Sequence, residues 1–471
     1  MNGVRSRTLI TWAIGIQFVI SAHAASASVG AVAHSPLGRQ LWVNSLDGPG
    51  NSEDYGRAVA VSPDGARVFA TGYVTGSGAD TDYATVAYDA VSGARLWTRT
   101  YKGPGDDYAW AVAVSPDGAR VFVTGESPGI YADYATVAYD AGSGATLWTR
   151  RYNGPGNFDD FANAVAVSPD GAMVFITGDS DGLTGHKDYA TIAYDASSGR
   201  TLWVSRYEGP TDYGDVATSI GVSPDGSRVV VTGSSDGSTS IDYATVAYDA
   251  SSGRKLWARR YDGPANSDDY AYSLAVNPDG TSVFVTGTSN ESITNTDYAT
   301  VAYDFSTGDR LWARRYDGPG KSDDSAFSVA VNGSGTRVFV TGESKGPDLY
   351  SDYATVAYDA STGAVAWTRR YDGPAQFIDS ARSLAVAPDG TKVFVTGFSW
   401  GSGTDVDYAT IAYDASSGAR LWVRRYNGPA NAADLAYGIA ASPTGAFVSV
   451  TGGSFGSGGS YDLTTVTYRA T

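Results

Sequence analysis

Hydrophobic and polar residues alternate in short runs from Gln40 to the end of the chain. In residues 269–316 the runs are DYAYSLAV, TSVFVTG, DYATVAYD and RLWARRY, each rich in Val, Tyr, Thr or Ala. Such alternation predicts β-strands. The turn sequences NPDG and FSTG predict that the first two and the last two runs form hairpins. No helical period of useful length follows residue 24, so the sequence predicts an all-β protein.

The four-strand pattern recurs along the chain, and its most regular marker is a tryptophan in the fourth run. These tryptophans follow one another at intervals of 51 to 55 residues. They stand at positions 42, 97, 148, 203, 257, 312, 367 and 422. A period of this size, filled with four short strands, is typical of a propeller blade. Eight tryptophan strands and eight third strands predict eight blades.

The two ends of the repeat complement each other. Residues 40–46 form a lone fourth strand, and residues 462–468 form a lone third strand. When they are paired they complete one blade, which leaves no open sheet edge in the ring. We therefore predict a single eight-bladed β-propeller of four-stranded antiparallel blades over residues 36–471, closed by the N- and C-terminal strands in one shared blade.

The first residues have the pattern of a secretory signal. Arg5 and Arg7 precede a mostly apolar stretch over residues 9–20, and Ala22-His23-Ala24 follows as a cleavage site. We predict a signal peptide over residues 1–24 and a linker over residues 25–35, and hence a periplasmic or extracellular protein. No later apolar run is long enough to span a membrane, which argues against membrane insertion.

Composition narrows the classes of partner and chemistry. The formal net charge of −17 argues against nucleic acid or an anionic membrane, and it permits cations, basic proteins or neutral sugars. Cysteine is absent, which excludes thiol nucleophiles and thiolate metal sites. Beyond residue 24 only His34 and His186 remain, which argues against a Ser-His-Asp triad or a histidine-rich metal site. We expect a monomer.

Two stretches of the repeat resemble known families. AYDASSGRKLW, residues 247–257, looks like the tryptophan-docking motif A-x-D-x-x-x-G-x-x-x-W of the quinoprotein-like (PQQ-like) eight-bladed propellers. RYDGPANSDDYAYSLAVNPDGTSVFVTGTS, residues 260–289, is similar to the seven-bladed-type repeat of exported bacterial β-propeller proteins. The first resemblance implies that each tryptophan packs between neighbouring blades. These families include dehydrogenases and assembly scaffolds, so the motifs specify fold more than function.

Strand direction predicts which face of the disc carries variable loops. The loops into the first and third strands share one face, and the opposite face carries only short, nearly uniform turns. Two rings of aspartates stand in these loops. Asp54, Asp107, Asp160, Asp215, Asp269, Asp324, Asp379 and Asp434 precede the first strands, and Asp82, Asp133, Asp188, Asp242, Asp297, Asp352, Asp407 and Asp462 precede the third. They either close loops and pair with the arginines of the R-R-Y sequences, or form an acidic mouth that collects cations.

One position in the first strand varies among blades while its neighbours do not. It holds Arg57, Trp110, Asn163, Thr218, Tyr272, Phe327, Arg382 and Tyr437. Aromatic rings mixed with polar anchors suit a carbohydrate or peptide platform at the channel mouth. We therefore predict that Arg57, Trp110, Asn163, Tyr272, Phe327, Arg382 and Tyr437 bind a ligand. The alternative is blade-to-blade packing that tolerates several residue types.

The sequence predicts no cofactor, and a calcium ion is the alternative. Asp179, Asp181 and Asp188 supply spaced carboxylates around Gly182, which resembles the beginning of a calcium loop. The alternative is a solvated Asp-Gly turn, since no bidentate glutamate stands at the required distance.

The sequence favours an exported non-catalytic propeller that binds protein or glycan through the loop face. The alternative is an enzyme. The quinoprotein-like resemblance suggests a quinone-dependent dehydrogenase, although the adjacent cysteine pair and larger insertions typical of those enzymes are missing. The abundance of aspartates also leaves open a carboxylate-based polysaccharide hydrolase or lyase.

Overall fold

The computed structural model describes residues 37–78, 80–211, 213–292 and 295–471. The signal peptide and linker predicted over residues 1–35 lie outside the described residues. The described chain forms eight four-stranded antiparallel sheets and has no helix, so the predicted eight-bladed all-β propeller is confirmed. In the part of the chain that the structure describes, we find no helix long and apolar enough to cross a membrane.

Each blade is a simple up-and-down meander of consecutive strands. Blade 1 consists of β2 (Tyr55–Val61), β3 (Arg67–Thr75), β4 (Thr81–Asp89) and β5 (Arg95–Tyr101). Blade 2 consists of β6 (Tyr108–Val114), β7 (Arg120–Pro128), β8 (Ala132–Asp140) and β9 (Thr146–Tyr152). Blade 3 consists of β10 (Asp160–Val167), β11 (Met173–Asp181), β12 (Lys187–Asp195) and β13 (Thr201–Tyr207). Blade 4 consists of β14 (Asp215–Val222), β15 (Arg228–Asp236), β16 (Ile241–Asp249) and β17 (Lys255–Tyr261).

The second half of the chain repeats this order. Blade 5 consists of β18 (Asp269–Val276), β19 (Ser282–Ser292), β20 (Asn295–Asp304) and β21 (Arg310–Tyr316). Blade 6 consists of β22 (Asp324–Val331), β23 (Arg337–Lys345), β24 (Ser351–Asp359) and β25 (Val365–Tyr371). Blade 7 consists of β26 (Asp379–Val386), β27 (Lys392–Trp400), β28 (Val406–Asp414) and β29 (Arg420–Tyr426). Blade 8 consists of β30 (Asp434–Ala441), β31 (Phe447–Phe455), β32 (Tyr461–Arg469) and β1 (Gln40–Leu46).

Pairing of the chain ends closes the ring, as the sequence predicts. β1 runs antiparallel to β32, and its register places Trp42 opposite Thr467 and Leu46 opposite Leu463. The first strands of consecutive blades contact one another all the way around, including β2 against β30. The first strand of each blade is therefore the innermost, and no blade is left with an unpartnered neighbour.

The recurring tryptophans join each blade to the next. Trp257 of blade 4 is 6% exposed, and its Nε1 donates a hydrogen bond to the carbonyl oxygen of Phe305 in blade 5 at 3.1 Å. Gly308 lies under the ring with φ +74°, and a Cβ built there would stand 2.6 Å from Trp257 Cδ2. Glycine is thus required both by the turn and by the indole ring above it. The interblade position of the tryptophan confirms the docking expectation.

The hydrophobic core lies between consecutive blades. One buried cluster, for example, joins Val230 and Tyr243 of blade 4 to Leu274 and Val283 of blade 5. The hydroxyl of Tyr243 also donates to the carbonyl oxygen of Ala299 across the same boundary, at 3.2 Å. The first tyrosine of the third strand therefore combines apolar burial with a hydrogen-bonded hydroxyl in blades 1 to 7, whereas Leu463 occupies this position in blade 8.

Candidate binding face

The topology places the candidate residues on one face of the disc. Because each blade is antiparallel, its first and third strands begin at the same face, where the loops of variable sequence lie. We call this the loop face. The opposite face carries the short turns that end at glycines with positive φ, such as Gly280 and Gly308.

The inner aspartate ring is buried and hydrogen-bonded to the backbone. Asp269 is fully buried; its Oδ2 accepts from the N–H of Gly263 at 2.5 Å and its Oδ1 accepts from the N–H of Asn290 at 3.1 Å. The carboxylate therefore ties the incoming loop to the end of β19. Burial raises the pKa of Asp269 to about 6, although these backbone donors act in the opposite direction. These contacts favour the loop-closing interpretation over the acidic-mouth interpretation for this ring.

The outer aspartate ring pairs with basic residues of the fourth strands. Arg260 binds Asp242 with Nη2 2.7 Å from Oδ2, and Arg315 binds Asp297 at 2.8 Å. Equivalent pairs join Arg151–Asp133, Arg206–Asp188, Arg370–Asp352 and Arg425–Asp407. The predicted pairing with the R-R-Y arginines is therefore confirmed. Asp462 and Asp82 differ, because Ser45 in β1 and Thr100 in β5 occupy the matching positions.

The variable position of the first strand is a β-bulge in every blade. The β2–β3 register shifts between Gly56 and Ala58, so that Arg57 stands outside the backbone register of the two strands. The same shift occurs at Trp110, Asn163, Thr218, Tyr272, Phe327, Arg382 and Tyr437. A bulge breaks the ladder locally and redirects the extra side chain. Because the bulge residue lies outside the strand register, the position tolerates aromatic, amide, hydroxyl and guanidinium groups.

Arg57 and its neighbours form an aromatic cluster across blades 8, 1 and 2. The guanidinium carbon of Arg57 lies 4.5 Å from the ring centre of Tyr437 and 5.1 Å from that of Trp110. Tyr55 and Tyr73 complete the set at 5.3 and 5.2 Å, and Nη2 of Arg57 donates to the hydroxyl of Tyr73 at 2.8 Å. Four ring faces around one cation create a strongly desolvated site. We call these five residues the Arg57 cluster.

A second cluster forms across blades 5, 6 and 7. The rings of Tyr272 and Phe327 lie 5.9 Å apart. The guanidinium carbon of Arg382 is 4.7 Å from the ring centre of Phe327 and 5.1 Å from that of Phe398. The structure therefore brings six of the seven predicted residues together in two groups, one across blades 8, 1 and 2 and the other across blades 5, 6 and 7.

Two bulge residues instead bind the backbone of the next blade. Nδ2 of Asn163 donates to the carbonyl oxygen of Ala217 at 2.9 Å. Oγ1 of Thr218 donates to the carbonyl oxygen of Ala271 at 2.9 Å. At these two positions the contacts agree with the alternative interpretation, in which the residue packs one blade against the next.

Sequence reasoning missed two further positions per blade on the same surface. Register pairs Tyr55 with Tyr73, Tyr108 with Glu126, and so on around the ring, so these residues flank the bulge. The missed second-strand set is Tyr73, Glu126, Asp179, Ser234, Thr288, Glu343, Phe398 and Gly453. The sequence did contain a signal for this set, because the residue type varies among blades directly after the constant Thr-Gly pair. Three positions of each blade thus form one variable inner surface. They are the bulge residue, the residue two positions before it, and the second-strand residue that pairs with the latter.

Glu126 is a carboxylic acid of this surface whose acidity the fold changes strongly. Burial raises its pKa to about 8, nearby Asp179 adds to the increase, and a hydrogen bond with Trp110 opposes it. Lys187 also opposes the increase, and its ammonium forms an ion pair with Asp179. Glu126 is therefore largely protonated at neutral pH, and it can donate a proton in a hydrogen bond.

We expect Glu126→Gln to stabilise the protein in a pH-dependent way. The pKa of Glu126 is higher in the folded chain than the ordinary value of 4.5, so ionisation destabilises the fold as the pH rises from about 5 through about 8. Glutamine removes this penalty. The free energy of unfolding of the variant should exceed that of the parent by about 1–3 kcal/mol at pH 9 and match it near pH 4. Denaturant melts at both pH values measure this difference; a pH-independent difference would contradict it.

The structure does not gather the predicted calcium ligands. Asp179 and Asp188 belong to facing strands of one hairpin, but Asp188 pairs with Ser180 and Asp179 with Tyr189, so their side chains point to opposite sides of the sheet. Lys187 binds Asp179 and Arg206 binds Asp188, while Lys187 also lies near Asp181. Carboxylates meet elsewhere on the described loop face, in the groups Asp47–Asp54–Asp462, Asp242–Asp262–Asp269, Glu291–Asp297–Asp317 and Asp352–Asp372–Asp379.

The ring closure, the docked tryptophans and the bulged inner strands define an eight-bladed propeller of the PQQ-like type. Within that class, the family model described as outer membrane protein assembly factor BamB matches residues 82–340 and 329–459. This match covers more than half of the chain, and the chain belongs to that family. A comparison with curated proteins finds no match.

Solved structures share the fold at low sequence identity. BamB from Moraxella catarrhalis is 14% identical with a TM-score of 0.55, and the alignment covers 92% of this chain and 100% of that one. Chaetomium thermophilum Sqt1 bound to the N-terminus of the ribosomal protein L10 is 15% identical with a TM-score of 0.60, covering 89% and 98%. A europium-containing methanol dehydrogenase is 12% identical with a TM-score of 0.56, covering 92% and 93%. At these identities the likeness establishes the fold alone.

Proposed function

We propose that this protein is an exported, non-catalytic propeller that binds another protein through its loop face. The observation that carries the proposal is the exposed apolar rim of that face. Ile130 is 94% exposed, Leu183 83%, and Tyr213 and Leu349 69% each, and all four lie in loops leading into first or third strands. Among the described large apolar residues of the opposite face only Val91 is exposed to a similar degree, so the loop face is favoured as the interaction surface.

The variable inner surface lies at the centre of the loop face and carries the residue types that are common at the centre of protein interfaces. The Arg57 cluster and the Tyr272–Phe327–Arg382 group combine aromatic rings with guanidinium groups, and these side chains dominate binding energy in protein interfaces. The aspartates around them favour a partner with basic residues. The family description names an assembly factor, and the Sqt1 structure contains a bound polypeptide, which agrees with a polypeptide partner.

Site-specific photo-crosslinking distinguishes the two faces of the disc. A photoreactive amino acid at position 130 probes the loop face, and one at position 91 probes the opposite face. Val91 is a matched control because it is also apolar and 84% exposed, in a turn between β4 and β5. In cells that produce the protein, the probe at 130 should give a discrete protein adduct and the probe at 91 should not. Adducts at 91 alone, or equal adducts at both, would overturn the proposal. A glycan array with the same protein tests the carbohydrate alternative.

We expect the double variant Trp110→Ala/Tyr272→Ala to weaken partner binding at least about 10-fold, because it removes one aromatic anchor from each group. The melting temperature should change by only a few degrees, since the same bulge position holds asparagine and threonine in blades 3 and 4. Leu311→Ala on the outer strand β21 is the control and should leave affinity unchanged. Unfolding of the double variant, or unchanged affinity, would mean that the bulge residues serve packing.

A further inference from the structure

Three carboxylates meet at the boundary between blades 5 and 6. Glu291 stands near the end of β19, Asp297 lies in β20, and Asp317 follows β21. One oxygen from each lies within 4.8 Å of the others. A calcium ion binds each oxygen at about 2.4 Å, so oxygens that lie up to about 4.8 Å apart can contact a single ion.

Asp297 and Asp317 each keep one buried oxygen without a hydrogen-bond donor among the described residues, whereas Glu291 is exposed. The side chain of Asp297 is 2% exposed; its Oδ2 receives Arg315 at 2.8 Å, while its Oδ1 is buried and has no hydrogen-bond partner within the described chain. Asp317 shows the same division, with Oδ2 2.6 Å from the ammonium of Lys321 and Oδ1 buried without a donor. Oδ1 of Asn295 is a third buried oxygen without a donor, and its amide nitrogen binds Glu291. Leaving such oxygens unsatisfied is costly, which points to a bound group.

The other three carboxylate groups differ in this respect. Each contains an inner-ring aspartate, namely Asp54, Asp269 or Asp379, whose two oxygens accept backbone N–H donors. Those oxygens are already used by the fold. In the group at blades 5 and 6, the hydrogen bonds that the structure shows come from side chains alone.

The repeat itself shows a cation at the equivalent place. Between blades 1 and 2, Lys102 occupies the position that Asp317 has between blades 5 and 6. Its ammonium lies 3.7 Å from Oδ1 of Asp82, which corresponds to Oδ1 of Asp297. One junction thus places its own ammonium near this oxygen, whereas the other presents a further carboxylate there.

We propose that Glu291, Asp297 and Asp317 bind one calcium ion, which ties the end of β19 and the start of β20 to the segment entering blade 6. An all-oxygen, carboxylate-rich set suits a hard divalent cation. Arg315 and Lys321 compensate two of the three negative charges, which limits the affinity to that of an extracellular module, with a Kd of roughly 10⁻⁴–10⁻³ M. Lys321 is a competitor that can move aside, because its side chain is 74% exposed.

Calorimetric titration of the chelator-treated protein with calcium chloride, together with melting curves, tests this site. The parent should bind one equivalent and melt a few degrees higher in 10 mM calcium than in chelator. Asp317→Asn should weaken binding at least about 10-fold, and Lys321→Gln should tighten it several-fold because the competing ammonium is gone. Asp262→Asn, the same position between blades 4 and 5, is the matched control and should leave affinity unchanged.

Each other outcome contradicts the assignment. No heat and no melting shift in the parent up to 10 mM calcium would exclude the site. Equal weakening by Asp317→Asn and Asp262→Asn would mean that calcium is held only by the general acidity of the loop face. Weaker binding by Lys321→Gln would show that the ammonium supports the group and does not compete. Circular dichroism of every variant confirms that a lost signal is not lost folding.

Discussion

Trp257→Ala is expected to lower the free energy of unfolding by about 3–5 kcal/mol. The ring is buried between blades 4 and 5, where it lies over Gly308 and beside Tyr303, with ring centres 6.3 Å apart. Truncation would leave a cavity at the blade boundary and would deprive the carbonyl of Phe305 of its donor. Both losses act in the same direction, so the effect should be among the largest for a single substitution in this chain.

The measurement is urea or guanidinium unfolding followed by circular dichroism. Leu311→Ala is the control, because Leu311 precedes the equivalent tryptophan of blade 5 and is 50% exposed. It should cost less than about 1 kcal/mol. If Trp257→Ala unfolds like the parent but loses partner binding, the recurring tryptophans belong to a binding site and not to the framework.

Removal of β1 is expected to have the second large effect. A chain that begins at residue 47 lacks the partner strand of β32 and the buried ring of Trp42, whose Nε1 donates to Ala90 at 2.9 Å. It also lacks Gly38, whose carbonyl oxygen accepts from Nε of Arg424 at 2.8 Å. An exposed strand edge beside an uncovered apolar surface promotes pairing with other chains. We expect aggregation on size-exclusion chromatography and a melting temperature lower by at least about 10 °C.

A chain that begins at residue 37 is the control for this truncation, since it keeps every described contact of β1. It should elute as a single species and melt like the full chain. Addition of a synthetic peptide covering residues 37–47 to the shorter chain should partly restore its melting temperature. If the shorter chain is monomeric and melts within about 2 °C of the control, closure by β1 contributes little to stability.

The sequence predicted the contacts that most blades repeat. The Arg260–Asp242 pair and the docking of Trp257 on blade 5 could be predicted from the repeat, because a residue needed in most blades recurs at a nearly constant interval. Features that occur in a single blade could not be predicted in this way, because they do not recur along the chain. The proximity of Glu126 to Asp179 and the meeting of Glu291, Asp297 and Asp317 depend on chain segments from different strands and, for the first, different blades.

The variable position of the first strand was predicted only in part from the sequence. The sequence marked Arg57 and its equivalents as different from their neighbours, but strand alternation gives no sign of a bulge, since one extra residue changes register without changing residue type. Only the structure shows that Arg57 lies among four aromatic rings from three blades, whereas Thr218 is used by the backbone of the next blade.

The amino-acid sequence by itself therefore determined the strand class, the number of blades, the closing strand and the face that carries variable loops. These follow from local alternation and from a period, and both are properties of consecutive residues. The tertiary structure decided which variable side chains meet, which aspartates are already satisfied by backbone donors, and where unsatisfied carboxylate oxygens gather. Those outcomes depend on how neighbouring blades pack against each other, and that packing brings together residues distant in the chain.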